Sequence, residues 1–390
     1  MKSSLRGKVA IVGAADTEVG VVPHMTSTQM CADAALRAMA DAGISKDQID
    51  GLITCNSRAE SYKYHAEAMA EYLQIFPSYC INVATGGGTT FSILHHAITA
   101  IATGVCNTVL ITMAESLRSG LSKEQTMAGQ AAVGHAQFEV PYGPTVPSLY
   151  ALIGRAHMEK YGTTPAQFAA IAVACRKHAS LNPNAQMRDL ITVEDVLNSR
   201  MIADPLHLLD CSLISDGGSA VILTSAERAR EFSSKPVYIL GFGEAHSHEH
   251  ISQARNLTTS AAVESGKRAY EMAGLGPRDM DFAQLYDCFT PTALIELEDL
   301  GFCKKGEGGA FVESGAIELG GSLPMNTHGG LLSHCHPGNP GSMFLLTEAV
   351  SQLRHQAGER QVSGAQAGLV HGQGGIMSSH TTLILGKEIN

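Results

Sequence analysis

The sequence predicts an α/β protein built from two related halves. Three observations carry that expectation. A β-branched run closed by glycine, Val9-Ala10-Ile11-Val12-Gly13, opens the chain. The same phrase returns about 230 residues later as Val237-Tyr238-Ile239-Leu240-Gly241. Each is followed by a helical stretch and then a second strand, the order of a sheet with crossover helices.

Taken in order, the run at Val9 is a buried strand. Thr28 to Ala42 is alanine-rich with apolar residues at helical spacing, and Gly43 supplies a C-terminal stop. Ile49 to Cys55 forms the next strand, so a parallel pair is expected. Ile81 to Thr112 reads as strand, glycine turn, helix ending near Gly104, and the strand Thr108–Thr112. From Glu115 to Pro205 the simple alternation stops. This segment is richer in Met, His and Gln, holds helices over Ser148–Lys160 and Pro165–His178, and is expected to be an inserted, protruding helical lobe. Sheet resumes at Ser219–Thr224 after a turn at Asp216-Gly217-Gly218. In the second half, Arg268-Ala269, Ala273-Gly274 and Asp281 repeat Arg37-Ala38, Ala42-Gly43 and Asp50, five identities in a fourteen-residue window. The strand Phe282–Leu285 follows, and Thr381–Leu385 closes the chain. The expected division is residues 1–230 and 231–390, joined near Ser225–Lys235.

Composition excludes several classes. The 390 residues suit two domains, and 44% hydrophobic with 16% charged residues excludes a disordered chain. A net charge of −10 with no basic run argues against nucleic-acid binding. No stretch reaches the ~18 apolar residues of a membrane helix. The segment Met1–Lys8 lacks a signal-peptide pattern, and nine irregularly spaced cysteines without a Cys-x-x-Cys pair suit the reducing cytoplasm.

Four turns carry candidate chemistry. Gly86-Gly87-Gly88, between strand and helix, could bring backbone amides to a ligand, or could simply be a tight packing turn. Tyr286-Asp287-Cys288-Phe289 places a phenol, a carboxylate and a thiol at a strand end, where open α/β sheets gather ligands. Asn326-Thr327-His328-Gly329-Gly330 leads to His334-Cys335-His336-Pro337, too polar for mere core filling. His371-Gly372-Gln373-Gly374-Gly375 is a loop offering an imidazole and amides. No ordinary zinc-ligand spacing occurs, so no metal is assigned to this chain. His246-Ser247-His248-Glu249-His250 is read as an exposed loop.

Together these motifs resemble the thiolase superfamily, nearest its sterol-carrier-protein-type, non-decarboxylating branch, the acetyl-CoA acetyltransferase-like group. Tyr286-Asp287-Cys288-Phe289 is similar to the His-Asp-Cys-Phe motif. Asn326…Gly329-Gly330…His336-Pro337 is similar to Asn-x-x-Gly-Gly…Gly-His-Pro, and Gly372–Gly375 to the glycine loop before the last strand. Pro205-Leu206…Leu209-Asp210-Cys211…Ser215–Ala220 also matches. The resemblance spans essentially the whole chain. It implies a five-layer αβαβα fold of two duplicated halves and a coenzyme A thioester as substrate. It further implies a homodimer and a small zinc-ribbon/OB-fold partner protein. His336 is implied in an oxyanion hole and Cys288 in α-proton transfer. The catalytic set is then Tyr286, Cys288, His336 and His371. Gly86, Gly87, Gly88, Asn326, Gly329, Gly330, Gly374 and Gly375 form the ligand-binding turns.

The sequence departs from the pattern at two places. Thiolases carry a nucleophilic cysteine at the turn where this chain has Gly87, which would leave room for a bulky acyl group. Tyr286 stands where the motif has histidine. Superfamily members that lack the nucleophile include steroid side-chain retro-aldolases, which use tyrosines, one at a place similar to Tyr286 and another near the place of His336. The lead expectation is a thiolase-like C-acyltransferase that makes or breaks a carbon–carbon bond beside the thioester. The alternatives are a retro-aldolase acting on a β-hydroxyacyl-CoA and a non-catalytic acyl-CoA-binding scaffold.

Overall fold

A computed structural model describes residues 5–389. The ends of the expected halves, residues 1–4 and 390, and the start of the segment read as lacking a signal pattern lie outside the described residues. The strands are β1 (Val9–Asp16), β2 (Gly51–Thr54), β3 (Tyr79–Asn82), β4 (Thr108–Ser116), β5 (Met201–Ala203), β6 (Leu206–His207), β7 (Asp216–Ser225), β8 (Val237–His246), β9 (Phe282–Gln284), β10 (Ala367–Gly374) and β11 (Ser379–Gly386). The helices are α1 (Ser27–Ala42), α2 (His65–Leu73), α3 (Thr89–Ala102), α4 (Lys123–Ala131), α5 (Val146–Tyr161), α6 (Pro165–Ser180), α7 (Val193–Asn198), α8 (Ala262–Ala273), α9 (Thr290–Asp299), α10 (Gly308–Glu313), α11 (Gly330–Ser333) and α12 (Gly341–Arg354).

The duplication appears in the strand order. The first half-sheet runs β3-β2-β4-β7-β1 and the second β9-β10-β11-β8. Corresponding pairs share their sense: β2 with β4 and β9 with β10 are parallel, whereas β4 with β7 and β10 with β11 are antiparallel. Even the missing counterpart of β3 leaves a trace, a parallel bridge from Ala283 to Met325. The two half-sheets touch edge to edge through Ala10–Tyr238 and Ile11–Val237.

Side-chain alternation explains the layering. In β1, Val9 and Ile11 face a central apolar cluster while Ala10 and Val12 face an outer one. In β11, Leu383 and Leu385 face the same central cluster and Ile384 faces the opposite outer one. Helices α3 and α12 contact strands of both half-sheets and form the middle layer. Helix α1 covers the outer face of the first half and α8 that of the second. The result is five layers, with alanine on the sheet-facing side of α1 allowing close approach. Thr26 caps α1 reciprocally with Gln29, and Gly43, at φ 72°, ends it.

Three expectations need correction. The sheet is mixed rather than parallel, because only four residues separate β10 from β11 and a connection that short can make only a hairpin. The glycines of Asp216-Gly217-Gly218 lie inside β7, where the buried Asp216 carboxylate accepts from the Val22, Arg118 and Ser119 amides. Residues 115–205 are helical as expected, but α6 does not protrude. It packs on α9, α10 and α11, burying Phe168, Ile171 and Cys175.

Candidate active site

The site is built where β9 turns into α9. Pro291 in the first turn of α9 suits a helix start, since its missing N–H would have no partner there. Asn326, at φ 52°, clamps the strand end: its Oδ1 accepts from Leu285 N at 2.7 Å and its Nδ2 donates to Leu285 O at 2.9 Å. The Asp287 carboxylate accepts from Leu331 N at 2.7 Å. Gly329 and Gly330 have φ of 114° and 63°, and a Cβ on Gly330 would overlap the Asp287 carboxylate. Asn326, Gly329 and Gly330 therefore brace the turn from behind; Asn326 is fully buried.

This bracing brings three of the expected side chains together. Tyr286 Oη lies 2.9 Å from His336 Nε2, with the rings edge to face. His336 is held in turn by Ser212 Oγ, 3.3 Å from Nδ1, and by Ser215 Oγ, which accepts from its backbone N–H at 2.9 Å. Cys288 Sγ accepts from Gln373 Nε2 at 3.1 Å. The same amide donates to Tyr150 Oη at 2.6 Å, and Tyr150 donates to Gly375 O at 2.8 Å while stacking on Phe289. Of the other histidines in that motif, His328 and His334 line a separate polar cavity with Asp16, Glu348 and Arg360.

Burial sets the protonation states. It pushes the Cys288 thiol up to about 12 and the Tyr286 phenol well above its ordinary value, with the nearby Cys288 adding to the latter. Burial lowers His336 to about 4, with the Arg58 charge acting the same way. At neutral pH the group is a neutral phenol, a neutral imidazole and a protonated thiol. The imidazole can accept a proton, the phenol can relay one, and the thiol can donate one. A thiolate nucleophile is disfavoured.

The turns of the two halves meet here. A Cβ on Gly86 would lie 2.9 Å from Gly374 Cα and 3.0 Å from Gly375 N, and Thr381 Oγ1 reaches Gly88 O at 3.3 Å. These glycines serve backbone-to-backbone contact, and the amides of Thr85 and Thr89 are used within the turn itself. Gly87 corrects a specific expectation. It does not leave a void for an acyl group, because a Cβ there would overlap Tyr286 Cζ and the Gln373 carbonyl and lie 2.5 Å from Tyr286 Oη. The phenol stands where a side chain at position 87 would project.

His371 is placed elsewhere. It lies within β10 rather than in a loop, with Nδ1 2.8 Å from Thr382 Oγ1 and Nε2 2.9 Å from His380 Nδ1, and with Glu296 nearby. Sequence reasoning missed Tyr150, Gln373 and Ser212. Only Gln373 lay in a noticed motif; Tyr150 comes from the inserted segment, and no local signal marks it.

Comparison with known proteins places this arrangement. The family described as "Thiolase, N-terminal domain" matches residues 9–227, and "Thiolase C-terminal domain-like" matches 243–387. An acetyl-CoA acetyltransferase of Methanothermobacter thermautotrophicus is 36% identical over 371 residues, 94% of this chain and 96% of its own length. A 17-hydroxy-3-oxo-4-pregnene-20-carboxyl-CoA lyase of Mycobacterium tuberculosis is 37% identical over 399 aligned positions, 98% of this chain and all of that one. The solved structure named Ltp2-ChsH2(DUF35) aldolase superposes with a TM-score of 0.87 at 34% identity, covering 98% of each chain. With both halves matched and relatives above one-third identity along nearly the whole length, the chain belongs to the thiolase superfamily.

Proposed function

We propose that this thiolase-type enzyme makes or breaks the carbon–carbon bond beside an acyl-CoA thioester, and that retro-aldol cleavage of a β-hydroxyacyl-CoA is the reaction its geometry supports best. The observation that carries this reading is Tyr286, paired with His336 and occupying the space of the side chain that Gly87 lacks. An acyl-enzyme needs a side chain to carry the acyl group. Gly87 has none, and Cys288 is held as a thiol near 12.

Retro-aldol cleavage needs no carrier. The β-hydroxyl proton passes to Tyr286 as the phenol passes its own to neutral His336. The β-carbon becomes a carbonyl, the Cα–Cβ bond breaks, and its electron pair enters the thioester enolate. The imidazolium formed at His336 stabilises the enolate oxygen. Cys288 gives a proton to Cα, yielding the shortened acyl-CoA. The proton held by the His336 imidazolium then passes by way of solvent to the thiolate, restoring both groups. Tyr150 with Gln373 orients the thiol. His371 has only the supporting place described above. The similarity to a CoA lyase and to a named aldolase supports this reading. The acetyltransferase relative keeps C-acyl transfer as the second reading.

The coenzyme A thioester would approach along the turns at Gly86–Gly88 and Gly374–Gly375. We take residues 1–230 and 231–390 as the two halves, and a homodimer as the assembly. A small zinc-ribbon/OB-fold partner of DUF35 type is supported by the aldolase neighbour, whose name joins Ltp2 to ChsH2(DUF35). A cytoplasmic location suits nine free cysteines. No described helix is long and apolar enough to cross a membrane. The test is product analysis. A β-hydroxyacyl-CoA should yield a carbonyl compound and a shorter acyl-CoA; thiolysis of a β-ketoacyl-CoA by free CoA, without hydroxyacyl cleavage, would favour the transferase.

A further inference from the structure

Behind the reacting turn, between α9 and the β10–β11 hairpin, three buried side chains have no part in the chemistry above. Glu296 comes from α9, His371 from β10 and His380 from β11. One donor atom from each lies within 4.8 Å of the others. His371 Nε2 is 2.9 Å from His380 Nδ1 and 4.0 Å from Glu296 Oε1. Neither oxygen of Glu296, nor Nε2 of His380, makes a hydrogen bond of ordinary geometry among the described residues, although the Tyr286 backbone N–H faces the carboxylate and the Met377 carbonyl faces the His380 ring.

An unpartnered carboxyl group buried beside two imidazoles is costly as it stands. A shared proton does not repair it, because 4.0 Å is too long for a hydrogen bond from a protonated carboxyl to His371. A cation does. Ligands about 2.0–2.2 Å from a tetrahedral ion stand about 3.3–3.6 Å apart. The spacings of 2.9 and 4.0 Å therefore need to change by about 0.5 Å, and the third, within 4.8 Å, by up to about 1.5 Å. The outer shell is in place as well. Thr382 Oγ1, 2.8 Å from His371 Nδ1 and itself 2.9 Å from Ser265 Oγ, fixes that ring with Nε2 towards the cluster.

We propose that Glu296, His371 and His380 form a site for one divalent transition-metal ion, with zinc as the ion that two imidazoles and a carboxylate suit. The ligands lie 75 and 9 residues apart in sequence, which is why no spacing motif announces them. The ion would tie α9 to β10 and β11, and α9 starts two residues after Cys288. Its place is that of a clip that positions the reacting turn.

The test uses full-length chain without a histidine tag, produced in medium supplemented with Zn²⁺ or Co²⁺ and exchanged into metal-free buffer. Elemental analysis should find one ion per chain, and the cobalt form should show the visible absorption of a low-coordinate nitrogen–oxygen site. Glu296→Gln and His380→Gln, checked for folding by circular dichroism, should each lower metal retention at least tenfold. His246→Ala/His250→Ala, at the end of β8 and in the segment that follows it, should leave it unchanged. Folded wild-type chain without stoichiometric metal in either medium would overturn the site. So would metal that survives both ligand substitutions, or metal lost with His246 and His250.

Discussion

Replacing Gly87 with alanine adds one methyl group where it presses on the reacting pair. That Cβ would lie 2.5 Å from Tyr286 Oη and closer still to Cζ, so the phenol must retreat by about 1 Å to reach ordinary contact. The 2.9 Å bond to His336 then stretches beyond useful length. Overpacking of this kind costs about 1–3 kcal/mol, a fall of about 1–4 °C in Tm for a chain of this size. A displacement of about 1 Å at the reacting groups costs about 10²-fold in kcat. Both are read on one preparation, Tm by calorimetry and kcat by release of the shorter acyl-CoA. In a Tyr286→Ala background the kinetic penalty of Gly87→Ala should vanish, although the Gln373 carbonyl still resists the methyl group and keeps part of the stability loss. Wild-type Tm and kcat in Gly87→Ala would refute the claim that the phenol fills this space. So would a kinetic penalty that persists without the phenol.

Tyr286→Phe and His336→Ala should each lower kcat by about 10²–10³ while leaving circular dichroism unchanged. Cys288→Ser should be milder for bond cleavage and should mainly slow exchange of the α-proton with deuterated solvent, followed by NMR. The acid side of the pH–rate profile should carry both ionisations of the site. Asp287, raised to about 6 by burial, loses its anionic acceptor for Leu331 N–H as pH falls through that value, and His336 loses its free lone pair near 4. Activity is thus lost as pH falls, whereas Tyr286, held well above its ordinary value, gives no alkaline step below about 10. Asn326→Leu strands the Leu285 amide and carbonyl in the interior and should cost about 2–4 kcal/mol, measured by denaturant unfolding.

What the sequence made legible follows from what is local. The strands that open at Val9 and Val237 and the cap at Gly43 are set by neighbours in the chain, and the structure keeps them, although both strands run on past Gly13 and Gly241 instead of closing there. The antiparallel sense of β7 was not legible, because the hundred-residue excursion from β4 hides which neighbour it finds. Tyr286, Cys288 and His336 could be named from motifs, although their meeting depends on the clamp from Asn326 to Leu285. His371 was misplaced because a glycine-rich segment was read as a loop, whereas its eight residues pair throughout with β11. Glu296 belongs to none of the motifs, and only the structure shows that α9 is buried on every side. Tyr150 shows the limit most clearly: nothing around it in sequence predicts that its hydroxyl meets Gln373 223 residues away.

Intact-mass spectrometry of the enzyme quenched during turnover tests the central claim most directly. Chain mixed with a β-hydroxyacyl-CoA, or with an acyl-CoA alone, should keep its unmodified mass at every time point while carbonyl product and shortened acyl-CoA accumulate. An acyl adduct that maps to Cys288, forms at the rate of turnover and is discharged by free CoA would contradict the account, because carbon–carbon cleavage would then run through the acyl-enzyme that Gly87 and a protonated thiol are argued to exclude.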